Sequence, residues 1–216
     1  MTRITAPRTE AAAAALLDPA ATAWDAAPVA TLTMAPTPLG YQPSVYVVAS
    51  WRERPYGGLS ELNVQALHTG RELAVRLDWH EDGPISKPHD LDVFTDAAGV
   101  LFPLGGPDTP IDSMGAPEKP VNAWYWRPNL EDALSAIGKG AGTVARLTNG
   151  GVHARGEWHD SRWGVVFLRA FAAREGVSMS APGTVQASFA VWRGTNQERA
   201  GIKAYAQSWH EISLEG

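Results

Sequence analysis

The sequence predicts a mostly β protein, an antiparallel β-sandwich with short peripheral helices, and two observations carry that prediction. Nine Trp, 21 Gly and 16 Pro in 216 residues are the composition of aromatic strands joined by many turns, while 44% hydrophobic and 19% charged residues are ordinary for a globular protein. Several windows also alternate apolar and polar residues with period two, the mark of strands buried on one face. The length is about 1.4 times a typical ~150-residue domain, so residues 1–216 read as one domain with a core of its own. Zero cysteines exclude disulfides, thiolate metal sites, iron–sulfur ligation and covalent c-type haem. Lys+Arg 18 against Asp+Glu 23 gives a net charge of -5, which argues against nucleic acid and anionic lipid as partners.

In chain order, Ala11 to Leu17 reads as a helical turn or two. Glu10 precedes it, Asp18-Pro19 interrupts it, and it is too short for an export signal. Residues 1–37 form an N-terminal arm that packs on the domain or docks to partners, with Trp24 as its anchor. No window reaches the ~18 apolar residues of a membrane span. Tyr46 to Trp51 is a predicted strand, and Leu73, Val75, Leu77 and Trp79 alternate with Ala74, Arg76, Asp78 and His80 as a second. Val121 to Trp126 is another. Asn129 to Ile137 predicts a helix, because Leu130, Ala133, Leu134 and Ile137 share one face and Gly138 ends it. Trp163, Val165 and Phe167, then Ala187, Phe189 and Val191, mark inner strands, and Tyr205 to Leu214 closes the chain at strand-like density. Alternation places Trp79, Trp163 and Trp192 inward. Pro55-Tyr56-Gly57-Gly58, Gly105-Gly106-Pro107 and Asn149-Gly150-Gly151 are turns between these elements.

The residues alone leave the chemistry open. His80-Glu81-Asp82 with His89 and Asp90 offers imidazole and carboxylate ligands but not the i, i+4 spacing of a zinc helix, and a solvated acidic loop is the plainer reading. No Gly-rich phosphate loop or nucleophile elbow is present. Nine Trp admit a carbohydrate-binding sandwich with exposed rings, although aromatics in strands are more often core. Two loops stand apart. Ile111 to Pro117 contains Met114, which reads plainly as a core gap-filler. Trp192 to Lys203 reads plainly as a polar turn with a solvated lysine.

With their flanks, these loops resemble the haem b subunit of the ethylbenzene dehydrogenase and dimethyl sulfide dehydrogenase group of molybdenum enzymes. The resemblance runs through Met34-Ala35-Pro36-Thr37-Pro38-Leu39, Leu73 to Trp79, Asp92-Val93-Phe94-Thr95-Asp96 and Leu101-Phe102-Pro103. Its most specific stretches are Met114-Gly115 followed by Pro120-Val121-Asn122-Ala123-Trp124-Tyr125-Trp126, and Phe189-Ala190-Val191-Trp192 continuing through Asn196-Gln197-Glu198-Arg199 to Gly201-Ile202-Lys203.

That resemblance implies a β-sandwich γ subunit enclosing one non-covalent haem b between a methionine and a lysine, here Met114 and Lys203. Thioether plus neutral amine would fill both axial positions, suiting the iron to electron transfer rather than bond making. Trp124 and Trp126 are expected to wall the pocket, Arg127 and Arg199 to meet propionates, and His68 or His89 to substitute if Lys203 points to solvent. The family further implies a heterotrimer. A molybdopterin-containing α subunit oxidises substrate, an iron–sulfur β subunit relays electrons to the haem, and an external acceptor such as a c-type cytochrome removes them. The missing export signal resembles the ethylbenzene and sterol-type members, which implies a periplasmic subunit exported with a signal-bearing partner.

Overall fold

The computed structural model describes residues 1–88 and 93–216. Its elements in chain order are β1 (Arg3–Ala6), α1 (Ala13–Leu16), β2 (Ala30–Thr33), β3 (Ala35–Pro36), α2 (Val45–Trp51), β4 (Glu61–His68), β5 (Glu72–His80), β6 (Ala97–Pro103) and β7 (Val121–Trp126). They continue with β8 (Leu134–Gly138), β9 (Ala145–Arg146), β10 (Val152–His159), β11 (Arg162–Ala170), β12 (Gly183–Trp192), β13 (Ala204–Tyr205) and β14 (His210–Leu214).

The strands form two sheets. One has the order β1-β14-β12-β6-β7-β8-β9, with β13 beside β12 and β3 beside β13; the other has the order β10-β11-β5-β4-β2. Every pairing is antiparallel except that of β1 with β14.

Period-two alternation builds the core between the sheets. Val100, Phe102, Trp124, Trp126, Phe189 and Val191 of the first sheet meet Val75, Leu77, Trp79, Trp163, Val165 and Phe167 of the second. Trp126 meets the Trp163 ring edge-on at 5.3 Å, and Phe102 lies 4.4 Å from Trp124. Such aromatic pairs are each worth about 0.5–1.5 kcal/mol beyond their buried area. The apolar neighbours along β5 and β11 have a separate cause. Leu67, Ala74, Val166 and Leu168 on the second sheet's other face are covered by Leu16 and Trp24 of the arm.

Trp24 anchors the arm as expected. It is buried, and Gln65 donates to its carbonyl at 2.9 Å. The arm also supplies β1 and β3 to the first sheet and β2 to the second.

Two elements differ from the sequence expectation. Asn129 to Ile137 is not a helix: Asn129 to Ala133 forms turns, and β8 follows, paired with β7 through Leu134 opposite Tyr125. Asp132 accepts from the backbone N–H groups of Ala133 and Ala154, a local alternative to helical bonding. Tyr46 to Trp51 is the helix α2 rather than a strand. Its valines favour extended backbone, yet among the described residues no strand lies alongside to pair with it, and Val48 N–H bonds back to Ser44 O at 3.1 Å. None of the residues of α2 is buried, and Tyr46 is 82% exposed.

Candidate functional site

The first sheet has a second face, turned away from the core. Opposite parity along β7 sends Trp124 and Trp126 between the sheets and leaves Tyr125 half-buried on the outside. The same parity puts Phe189 and Val191 inside and Trp192 outside, which corrects the inward placement expected for Trp192. Tyr125 and Trp192 meet edge to face at 5.3 Å. Between them lies Gly99, directly opposite both Tyr125 and Ala190. A Cβ on Gly99 would stand 3.1 Å from the Trp124 carbonyl oxygen and 3.4 Å from the Trp192 ring, so the Trp192 ring lies directly over this glycine and a side chain here would be tight. Ala123 and Ala190 extend the same low, apolar bed.

Lys203 enters this face beside Trp192. It is only 8% exposed, and its Nζ sits 5.4 Å from the centre of the Trp192 ring. Among the described residues its amine has no ion pair, and its acceptor is the Ala200 carbonyl at a long 3.5 Å. Burial lowers its pKa from 10.5 to about 8. The solvated lysine of the plain reading is therefore absent. This amine is held in an apolar setting where its neutral, coordinating form is within reach at mild pH.

The backbone around Lys203 is tightly fixed. Its carbonyl accepts from Thr37 N–H at 3.1 Å, and β13 pairs with β3 immediately after it. The Met34 to Leu39 motif thus works as a buttress for the lysine loop.

Met114 lies on the loop before β7 with φ 58 and is half-buried, so it is not a core gap-filler either. Its carbonyl accepts from Gly140 N–H at 3.2 Å, and a Cβ on Gly138 would come within 2.8 Å of the same oxygen. Gly115 follows with φ 88, where a side chain would strike the Lys119 carbonyl. A non-glycine residue in the left-handed region is uncommon and gathers at functional sites. Three such residues, Met114, Gln197 and Ala200, occur in these two loops.

The loops are joined directly. Tyr205, two residues after Lys203, donates its hydroxyl to the Asp112 carboxylate, two residues before Met114. A strap from Leu39 to Arg54, which includes α2, is fastened across the same region. Gln42 donates to Gly201 O at 3.0 Å, Arg54 to Gln197 Oε1 at 2.6 Å and to Asn196 O at 3.0 Å, and Pro43 packs near Gly142.

Arg127 follows β7 at the end where Trp126 opposes Ala98, and its Nε is buried with no partner among the described residues. Arg199 is exposed and lies 4.5 Å above the Phe94 ring, three residues before β6 begins. Both arginines thus stand at the sheet end that carries Trp192, which opposes Ala97.

Other candidates fall elsewhere. His68 is buried on the second sheet beside Phe171, remote in topology from both loops. His89, Asp90 and Asp92 lie outside the described residues. Among the described residues no group of three His, Cys, Asp or Glu is arranged to hold a metal. Glu81 of the suspected acidic loop is buried and paired with Arg193 at 2.7 Å.

The residue types here are ones that could hold a planar iron macrocycle: a thioether on the adjoining loop, a buried amine with no ion pair among the described residues, small residues along the sheet, two aromatic rings and two arginines at one end. The model of the ethylbenzene dehydrogenase family matches residues 21–150, more than half of the chain. The chain belongs to the ethylbenzene dehydrogenase family. Relatives in that family's neighbourhood include a respiratory nitrate reductase heme subunit from Haloferax mediterranei, 32% identical over 89% of this chain and 66% of its own length. The chlorate reductase subunit gamma of Ideonella dechloratans is 30% identical over 90% of this chain and 78% of its own. The dimethylsulfide dehydrogenase subunit gamma of Rhodovulum sulfidophilum is 30% identical over 77% and 65%. The chain thus spans about two thirds of the length of the first and third.

Among solved structures, a carbohydrate-binding protein of Bacteroides uniformis superposes with a TM-score of 0.58 at 12% identity, covering 99% of both chains. A family 9 carbohydrate-binding module of Caldicellulosiruptor kristjanssonii with glucose superposes with a TM-score of 0.52 at 9% identity, covering 100% of this chain and 96% of that one. At such identities the likeness is one of fold, and the family's sandwich shares its architecture with these modules.

Sequence reasoning missed Tyr125, Tyr205 and Asp112. Tyr125 was legible, since its neighbours Trp124 and Trp126 have the other parity. The Tyr205 to Asp112 bond spans 93 residues and leaves no local pattern.

Proposed function

We propose that this chain is the electron-transfer γ subunit of a heterotrimeric molybdenum hydroxylase or dehydrogenase of the ethylbenzene dehydrogenase type, holding one non-covalent haem b between Met114 and Lys203. The observation that carries the reading is Lys203: a buried amine with no ion pair among the described residues, on the face of the sheet to which the Met114 loop is tied. An ammonium buried this way destabilises the fold, whereas a neutral amine there is a ready ligand.

Held by the Met114 thioether and the Lys203 amine, haem would supply a one-electron carrier. The chain's own residues do the rest. Tyr125 and Trp192 exclude water from the amine's side, and Gly99 lets the Trp192 ring lie against the sheet. Arg127 and Arg199 hold the propionates at one end. Electrons reach the subunit from an iron–sulfur β subunit served by a molybdopterin-containing α subunit, and leave to an external acceptor such as a c-type cytochrome. The gamma-subunit names of two relatives support this assembly. On this reading the subunit is periplasmic, exported with its partner. No described helix is long and apolar enough to cross a membrane.

A potentiometric titration of the haem-reconstituted chain tests the function. The expected result is one haem per chain, a reversible one-electron transition and low-spin spectra in both states without carbon monoxide binding. A five-coordinate haem that binds carbon monoxide, or no stoichiometric haem, overturns it.

A further inference from the structure

The motif Asn196-Gln197-Glu198 belongs to neither the bed nor the axial ligands, yet it contains one of the most buried carboxylates in the molecule. Glu198 is 1% exposed. Its Oε1 accepts from Gly57 N–H at 2.7 Å and from Asn196 Nδ2 at 3.0 Å, and its Oε2 accepts from Arg193 N–H at 3.0 Å. A carboxylate is removed from water at large cost unless its lone pairs are filled, and here neutral donors on three sides fill them.

Two of those donors lead to Lys203. Gly57 has φ 61, and a Cβ there would fall 2.5 Å from Pro36 Cα and 2.9 Å from the Lys203 carbonyl oxygen. The Gly57 turn is thus wedged against the lysine's own backbone, and Glu198 holds the wedge. Arg193 is the opposite end of the same loop and pairs with buried Glu81 at 2.7 Å, while the following Gly194 N–H bonds to buried Asp96 at 2.8 Å. The loop is pinned at its start by Glu81 and Asp96 and cross-braced to its far end by Glu198. The strap is drawn into the same brace through Arg54, which bonds Asn196 and Gln197.

We propose that Glu198 is a positioning residue for Lys203, the residue that would ligate the iron: its buried carboxylate locks the Gly57 turn against the Lys203 carbonyl and ties it to the start of the loop at Arg193, fixing where the lysine backbone, and so its amine, is held. This rests on the haem reading above. Partners that orient a metal ligand from behind typically contribute 10–100-fold in metal affinity. Glu198→Gln keeps the size but turns an amide N–H₂ either toward Gly57 N–H and Asn196 Nδ2 or toward Arg193 N–H, so at least one bond is lost and a donor faces a donor.

The test compares wild type, Glu198→Gln and Gly57→Ala, each as the full chain titrated with haemin, by magnetic circular dichroism and potentiometry. Both variants are expected to weaken haem binding 10–100-fold, to show a mixture of low-spin and high-spin iron, and to shift the reduction potential, while Met114 ligation persists. Hydrogen exchange on the haem-free chains is the second readout. Amides of residues 56–58 and 199–205 should exchange faster in Glu198→Gln, with β5 and β11 unchanged. Wild-type haem spectra and potential in Glu198→Gln overturn the positioning role and leave the haem reading intact. Unchanged exchange at residues 199–205 overturns it even if a variant binds haem poorly. A wild type that binds no haem overturns both.

Discussion

The hydroxyl of Tyr205 donates to the carboxylate of Asp112, and this bond fastens the methionine loop to the lysine loop. Burial first, and then the Asp112 acceptor, push the Tyr205 phenol well above its ordinary range, so it remains a donor throughout the working pH. A hydrogen bond to a charged acceptor is worth about 1.5–3 kcal/mol. Tyr205→Phe keeps the ring and removes the tie. Its apparent haem dissociation constant should rise about tenfold or more in a haemin titration. An unchanged constant would mean that the loops hold their spacing without the bond.

Arg127 and Arg199 stand at one end of the outer face, and a cation there favours propionate binding and the reduced, less positive iron. Replacing either by Ala should weaken haem binding and lower the reduction potential. Arg127→Ala should have the larger effect, because its buried Nε lacks a partner while Arg199 rests on the Phe94 ring. Affinity and potential measured together decide the matter, and no change in either quantity would remove these arginines from the site.

Burial sets a pH signature on the haem-free chain. The Lys203 amine has a pKa of about 8 in the native state against 10.5 unfolded. Between those values the unfolded chain binds the proton more tightly than the native one, so stability rises with pH across the window. Below about pH 8 the full penalty applies, on the order of 3 kcal/mol relative to pH above 10.5. Tyr56, Tyr125 and Tyr205, all raised by burial, work in the opposite direction near pH 10. Subtracting the denaturation curves of Lys203→Met cancels them. The wild-type minus variant difference should climb from pH 8 to 10.5, and a flat difference would show that the amine is not desolvated.

Arg169 is buried on β11 and donates to the carbonyls of Gly150, Glu175 and Val177. Arg169→Leu leaves those acceptors buried and unpaired at a cost of about 3 kcal/mol or more. For a chain of this length thermal unfolding should fall by about 6–12 °C. The folded fraction should keep a low-spin haem spectrum, since neither iron-ligand loop touches Arg169. Calorimetry and absorption on the same sample separate the two effects.

How much of this was legible in the sequence depended on whether a residue's role was local. The strand β5 was readable because Leu73, Val75, Leu77 and Trp79 bury one face, and β7 because of its dense aromatics. The helix expected over Asn129 to Ile137 failed because strand pairing of Leu134 with Tyr125 outweighs a 3.6-residue coincidence. The strand expected over Tyr46 to Trp51 failed because β-propensity needs a neighbouring strand, and α2 has none. The edge strand β10 alternates Val152, Ala154, Gly156 and Trp158 with exposed His153, Arg155, Glu157 and His159, but Ala and Gly give that alternation little apolar weight. Met114 and Lys203 emerged from family resemblance, since in a loop neither burial nor the left-handed backbone of Met114 leaves a periodic trace. Trp192 was misplaced although its parity relative to Phe189 and Val191 was on view.

The central claim is that one haem is held between Met114 and Lys203. Absorption and magnetic circular dichroism spectra of the haem-reconstituted full chain test it most directly, with wild type beside Met114→Ala and Lys203→Ala. Wild type should give a low-spin, six-coordinate spectrum that is lost separately in each variant, with the other ligand's signature retained. Identical spectra in all three, or no stoichiometric haem in wild type, would contradict it.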